Sequence, residues 1–261
     1  MGVHPSALVD PSAFLGSGVT VGPFAVLEDD VVVGDETEIR AHAVVKRHTR
    51  LGARNTVHEG AVLGGEPQDV SFAGGPTGLV IGDENRIREG VTIHRSSKPG
   101  GTTTVGSECF LMAYAHVAHD DTIGDRVIIA NNVALAGHVD IRDSAFLSGG
   151  VVVHQFCRIG RLAMIGGNSK IVQDCLPFVI TDGMPGRARG LNVVGLRRAG
   201  VGIGAVRALK EAYRLLLRAS LPQEEALAKM AGLGEPLVEE MAVFVRGSKR
   251  GFAHAAGPQA E

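Results

Sequence analysis

Residues 105–171 read VGSECFLMAYAHVAHDDTIGDRVIIANNVALAGHVDIRDSAFLSGGVVVHQFCRIGRLAMIGGNSKI. Every sixth residue, from Val105 through Leu111, Val117, Ile123, Ile129, Leu135, Ile141, Leu147, Val153, Ile159 and Ile165 to Ile171, is Ile, Leu or Val. A period of six is neither the 3.6 of a helix nor the two of an alternating strand. It is the signature of a hexapeptide-repeat parallel β-helix, in which three short strands close one triangular coil. Four residues after each leader stands a second, usually smaller residue, such as Ala115, Val127, Val133, Ala145 or Cys157. That residue fits where the next face closes.

The same phase extends outward. It runs from Val3 to Leu63 without a gap, breaks at Asp69 and Gly75, returns at Ile81, Ile87 and Ile93, and breaks once more at Pro99. The segments GGEPQDVSFAGGPTGLV (64–80) and RSSKPGGTTT (95–104) are rich in Gly, Pro, Ser and Thr, and so are expected as loops. Insertions of this kind bulge from a solenoid and often carry function. The expected organisation is an all-β solenoid domain over residues 1–176 with those two loops, followed by a connector and a helical domain over 177–261. Eight or nine coils at about 4.8 Å each make a prism roughly 40 Å long. Beyond Ile171 a Pro/Gly-rich connector leads into helical patterns at 203–220, 222–232 and 236–247, the last two opened by Pro222 and Pro236. Residues 251–261 are expected to fray.

Composition agrees with this picture. Aromatics are only 4% and Trp is absent, so the core must be aliphatic, and 36 glycines are about twice the usual share, which suits many tight turns. The formal net charge of −2 argues against nucleic acid as a partner. It is unevenly divided: residues 1–176 carry 14 basic and 20 acidic side chains, residues 177–261 carry 12 and 8. No window approaches the roughly 18 apolar residues of a membrane span. Cys109, Cys157 and Cys175 all fall at the small inward position, where buried hydrophobes rather than disulfides or catalytic thiols are expected. A soluble cytoplasmic protein follows.

With eighteen residues per coil, residues eighteen apart stack. His119 then lies beneath Gly137, which lies beneath Gln155; Asp120 lies beneath His138; and His154 stands above Ala136 and Ala118. One edge therefore gathers His, Asp, Gly and Gln. A histidine beside a carboxylate suits general-base work near neutral pH, and a glycine N–H one coil away suits oxyanion stabilisation. Together they fit acyl transfer to a hydroxyl, with no cofactor. A single edge is convex whereas ligand sites are concave, so a second copy in a closed cyclic oligomer is expected to complete the site. Two other readings stay open here: His116-x-x-His119 as half of a zinc site between subunits, as in γ-class carbonic anhydrases, and a purely structural stack of histidines.

IHR (93–95), LMAYAHVAHD (111–120), ANNVALAGHV (130–139), VHQF (153–156) and LNVVGLRR (191–198) closely resemble the UDP-N-acetylglucosamine acyltransferases of lipid A synthesis. EPQDVSFAG (66–74) and the helical tail extend the likeness over nearly the whole chain. The resemblance implies a left-handed coil, a homotrimer, and transfer of a 3-hydroxyacyl chain from acyl carrier protein to the sugar 3-hydroxyl. It implies His119 as the base, Asp120 as its orienting carboxylate and the Gly137 amide as the oxyanion donor. His94, His116, His138, His154 and Gln155 would line the cleft, and Asp69 would meet the sugar from its loop. Asn192 and Arg198 would hold the nucleotide end, Arg being suited to a diphosphate. Gly167 falls where acyl length is set, and its open groove predicts a longer chain. The resemblance implies no metal. Ser71 stands where the family usually has Lys, and Val194 where it has Glu, so another nucleotide sugar, such as a 3-amino analogue, is the alternative acceptor. The basic tail, with Arg207, Lys210, Arg214 and Arg218 on one helical pattern, would dock the acidic carrier protein.

Overall fold

In the computed structural model, which describes residues 2–255, a typical hexad forms one two-residue strand from the leader and the residue before it, as in Leu8–Val9, Val26–Leu27 and His116–Val117. The strands stack into three sheets of nine, eight and ten members, parallel throughout except for one closing strand. Partners lie eighteen residues apart, Leu8 with Val26, Phe14 with Val32, Thr20 with Glu38. The third residue after a leader turns the corner in left-handed backbone, with φ of 53° at Asp30, 62° at Asp120 and 63° at His138. Such a conformation is disfavoured for most L-residues, and Asn, Asp and His adopt it most readily after Gly.

Alternation along the strands sends every leader inward. Leu27, Ile39, Leu63, Ile87, Leu111, Ile129 and Leu147 are fully buried, and the small corner residues Ala25, Ala43 and Ala61 are buried with them. The first coil is the exception. Val3 is 46% exposed, and Val9 and Leu15 are only partly covered, because no coil stacks below them. The three cysteines are buried and unpaired, and burial pushes their thiols up to about 11 at Cys109 and Cys157 and about 12 at Cys175. They act as small hydrophobes.

At the two interruptions the pairing interval grows by whole hexads. Leu63 pairs with Ile93, thirty residues on, and Ile93 with Val117, twenty-four on. Two hexads and then one leave the prism as loops, so the leader phase survives both. The loops are shorter than 64–80 and 95–104. Val62–Gly65, Gly78–Ile81 and Thr102–Val105 are strands, because backbone at the ends of each insertion still finds ladder partners. Segments 66–77 and 95–101 remain outside the ladder.

The hexad rhythm stops at Ile171, but the third face goes on. Val179–Asp182 pairs with Met164–Ile165, and Arg187–Leu191 returns antiparallel beside it. The Gly/Pro-rich segment expected as a connector is thus a hairpin whose tip, GMPG (183–186), contains a cis Met184–Pro185 bond. Among the described residues four helices follow: α1 (Val193–Arg198), α2 (Ile203–Leu217), α3 (Gln223–Ala231) and α4 (Pro236–Arg246). The first of them was not anticipated, since LNVVGLRR is too short to show a helical stripe. Pro236 opens α4, where the Glu235 side chain caps the Leu237 N–H. Leu196, Leu209, Leu227, Met230 and Met241 form a second core with Leu162 and Phe178 of the last coil. Arg158 and Arg161 tie that coil to α4, donating to the Phe244 carbonyl at 2.7 Å and to Glu240 at 2.7 Å. Residues 251–255 do not fray: Phe252 is buried and pairs with Asp174, and Ala255 pairs with Ala188. Residues 256–261 of that expected frayed end lie outside the described residues. No described helix is long and apolar enough to cross a membrane.

Candidate active site

The chain leaves the buried leader Val117 and turns a corner through Ala118, His119 and Asp120. His119 Nδ1 stands 2.8 Å from Asp120 Oδ2, and the two side chains are only 11% and 8% exposed. Burial alone would raise the Asp120 carboxyl. Hydrogen bonds from Ser96, His119 and Ser97 outweigh it and hold the group well below the usual carboxylate range. An ionised Asp120 keeps the proton of neutral His119 on Nδ1, which leaves Nε2 as the acceptor.

One coil on, Gly137 lies directly over this imidazole. A Cβ at Gly137 would come 2.5 Å from His119 Cε1 and 2.8 Å from Nε2, so glycine is required here by the ring's space. The Gly137 N–H meets no acceptor among the described residues. The two rungs are tied together just after it. His138 N–H donates to the His119 carbonyl at 3.1 Å, and Asp121 accepts Val139 N–H at 2.7 Å and Ala118 N–H at 3.0 Å. Asp121 is wholly buried, and that burial pushes its carboxyl well up.

The other edge residues gather as the stacking arithmetic anticipated. His138 meets His119 edge-on at 5.3 Å, with Nε2 3.7 Å from Asp120 Oδ2. His116 faces the strand below, its Nδ1 2.7 Å from Thr92 Oγ1, and meets His94 edge-on at 4.9 Å. Burial lowers both rings, His94 to about 4, and His94 Nδ1 is buried without a partner among the described residues. Asp69 accepts the Ser71 hydroxyl at 2.7 Å and N–H at 2.9 Å. Those two bonds hold its carboxyl low, with further help from His119 and Ser97, so the 66–77 loop leans toward the dyad. His154 and Gln155 share the edge one coil beyond Gly137, but His154 Nδ1 turns to the Gln155 carbonyl at 3.2 Å.

Three anticipated residues lie elsewhere in the chain. Gly167 follows the leader Ile165 into a different corner, where a Cβ would make only ordinary contacts, with Gly149 O at 3.5 Å and Ser148 Cβ at 3.9 Å. Asn192 is the N-cap of α1: its Oδ1 accepts Gly195 N–H at 3.0 Å, and its Nδ2 donates to Leu162 O at 2.9 Å. Arg198 ends the same helix, exposed. Conversely, Ser96, Ser97 and Phe156 belong to the site without having been anticipated as site residues. Phe156 stacks on His138 with ring centres 4.7 Å apart; adding eighteen to 138 would have found it.

The zinc reading names His116 with His119, whereas the ligand atoms lying within 4.8 Å of one another belong to His119, Asp120 and His138. The donor chemistry runs against it. Both Asp120 oxygens already accept hydroxyl protons, Oδ1 from Ser96 and Oδ2 from Ser97 at 2.7 Å. A second such group, His58, Glu59 and Glu89, has Arg40 3.1 Å from His58 Nδ1, a cation where an ion would sit.

Comparison with known proteins agrees with the acyl-transfer reading. Residues 174–253 match the family described as UDP-N-acetylglucosamine O-acyltransferase, domain 2, and residues 12–47 and 102–137 match the bacterial transferase hexapeptide repeat. The acyl-[acyl-carrier-protein]–UDP-N-acetylglucosamine O-acyltransferase of Alkalilimnicola ehrlichii is 47% identical over 253 residues, covering 96% of this chain and 98% of its own. That of Synechocystis is 45% identical over 206 residues, 78% of this chain and 75% of its own. The crystal structure of the UDP-N-acetylglucosamine O-acyltransferase of Moraxella catarrhalis superposes with a TM-score of 0.94 at 39% identity, covering 97% of this chain and all of that one. The chain belongs to the family of acyl-[acyl-carrier-protein]–UDP-N-acetylglucosamine O-acyltransferases.

Proposed function

We propose that this protein transfers a 3-hydroxyacyl group from acyl carrier protein to the 3-hydroxyl of UDP-N-acetylglucosamine, the first step of lipid A biosynthesis, in the cytoplasm. The observation that carries this reading is the His119–Asp120 pair lying against a glycine whose amide meets no acceptor among the described residues. His119 Nε2 takes the proton of the sugar hydroxyl as that oxygen attacks the thioester carbonyl. Negative charge gathers on the carbonyl oxygen, where the Gly137 N–H stabilises it. Collapse of the tetrahedral intermediate breaks the C–S bond, and the imidazolium, still paired with Asp120, returns its proton to the departing thiolate. No acyl-enzyme forms.

His94, His116, His138, His154 and Gln155 border this reaction centre in the proposal, and Asp69 approaches the sugar. Gly167, Asn192 and Arg198 serve from a neighbouring protomer of a homotrimer, which explains why they stand away from His119 in one chain. Supporting a trimer, Phe110, Ile128, Phe146 and Met164 align in register along the outer side of one face, an apolar stripe suited to burial against another copy. The net positive helical region is the proposed dock for the acidic carrier protein, so turnover falls as salt rises. The test is to incubate the protein with UDP-N-acetylglucosamine and a panel of hydroxyacyl carrier proteins and weigh the products. His119→Ala is expected to lose at least about 100-fold in turnover. A fall under about tenfold would remove His119 from the base role.

A further inference from the structure

The carboxylate that orients His119 is gripped from its other side by the 95–101 loop. Ser96 is fully buried. Its hydroxyl accepts the Lys98 N–H at 3.1 Å and spends its single proton on Asp120 Oδ1. Ser97 gives both its hydroxyl, at 2.7 Å, and its N–H, at 3.3 Å, to Asp120 Oδ2. Just past the loop, the Thr103 hydroxyl accepts the Asp120 N–H at 2.8 Å. Nothing in the hexad pattern asks for serine at 96 or 97, since both lie in an inserted segment.

Two histidines on successive rungs compete for one oxygen. Asp120 Oδ2 is 2.8 Å from His119 Nδ1 and 3.7 Å from His138 Nε2. A carboxylate held only by imidazoles would be free to turn between them. We infer that Ser96 and Ser97 are positioning residues for the acid–base pair, fixing Asp120 so that Oδ2 serves His119 rather than His138. This rests on the reading of His119 as the base in acyl transfer. Hydroxyl donors also spread the negative charge of Asp120, so removing one concentrates that charge and favours the imidazolium form of His119.

The sharpest variant is Ser97→Ala, because Ser97 is half-buried and its loss leaves no cavity. The acid limb of its kcat/KM profile is expected to move up by roughly 0.5–1 pH unit. Plateau kcat should fall about 3–10-fold. Ser97→Thr keeps the hydroxyl and should restore both. Ser96→Ala is run beside it, with its thermal midpoint recorded. His94, His116, His138, Asp69, Asp121 and Lys98 also face the pair or its neighbour His138, and all are unchanged in these variants.

An unshifted acid limb in Ser97→Ala would overturn the inference. So would an equal loss in Ser97→Thr, or a uniform loss at every pH matched by a lower midpoint, which would mark a packing role alone. NMR titration of the His119 ring reads the same shift without turnover. If the wild type transfers no acyl group, the proposed function fails while the titration still decides the clamp: an upward shift in Ser97→Ala supports it and none overturns it.

Discussion

Glu108, Arg126 and Ser144 run along one corner of the prism, and Asp120, His138 and Phe156 along the next. All six hold the same left-handed backbone, with φ between 54° and 64°. On the first corner Arg126 reaches Glu108 at 3.7 Å and Asp143 at 3.9 Å, with all three side chains about half exposed. Water screens pairs of that kind and they contribute little. On the second, His119 and Asp120 are nearly enclosed and bonded at 2.8 Å. The repeat is common to both, so the contrast comes from what covers it. The 95–101 loop lies on the second corner through Ser96 and Ser97, and the 66–77 loop brings Asp69 toward it. A solenoid supplies evenly spaced positions, and its insertions decide which of them become a reaction environment.

Crowding the enclosed corner should have the largest effect. Gly137→Ala places a methyl group where the His119 ring stands, and Gly137 is not in left-handed backbone, so the fold should tolerate it. Turnover is expected to drop about 10–100-fold with little change in the unfolding midpoint, the displaced imidazole losing its alignment. Steady-state kinetics beside a thermal melt checks this, and a variant within twofold of wild type would show that the ring does not need that space.

A smaller effect should appear with pH. Burial lowers His94 to about 4 in the folded chain, against about 6.5 when unfolded. Between those values the unfolded chain binds a proton that the folded chain does not, so acidification through that window favours unfolding. The stability is intact above about pH 6.5 and declines toward pH 4, with about 2 kcal/mol from this group lost by pH 5. Denaturant melts of wild type and His94→Gln at pH 7 and pH 5 should show the larger loss in wild type; equal losses would count against a buried neutral His94.

The exposed corner should hardly respond. Arg126→Ala is expected to change stability by less than about 0.5 kcal/mol and turnover not at all. A loss of several kcal/mol would mean that the two corners are not as different as their coverage suggests.

The sequence shows some of these features plainly and hides others. Period-six leaders such as Leu111, Ile129 and Leu147 point inward because the closed interior of the prism rewards burial of aliphatic side chains, so the pattern reads directly as fold. Stacking at eighteen placed His119 and Asp120 against Gly137 and His138 because that coil has no insertion. Ser96 escaped because its coil has one: its partner Asp120 is twenty-four residues on, an interval visible only once the loop is counted as an extra hexad. The hairpin Val179–Asp182 and Arg187–Leu191 was hidden by its Pro/Gly-rich tip, which reads as a linker until the last coil offers it a face to pair with. For Asn192, the capping bonds to Gly195 and Leu162 depend on a short helix docked on a distant coil, and residue spacing carries no trace of that.

A double-mutant cycle joins His119 and Gly137 most directly: turnover of wild type, His119→Ala, Gly137→Ala and the pair together. If Gly137 acts where His119 acts, the double variant should be no slower than His119→Ala alone, within about threefold. Independent, multiplying losses would place Gly137 away from the imidazole and contradict the stacked-rung account of the site.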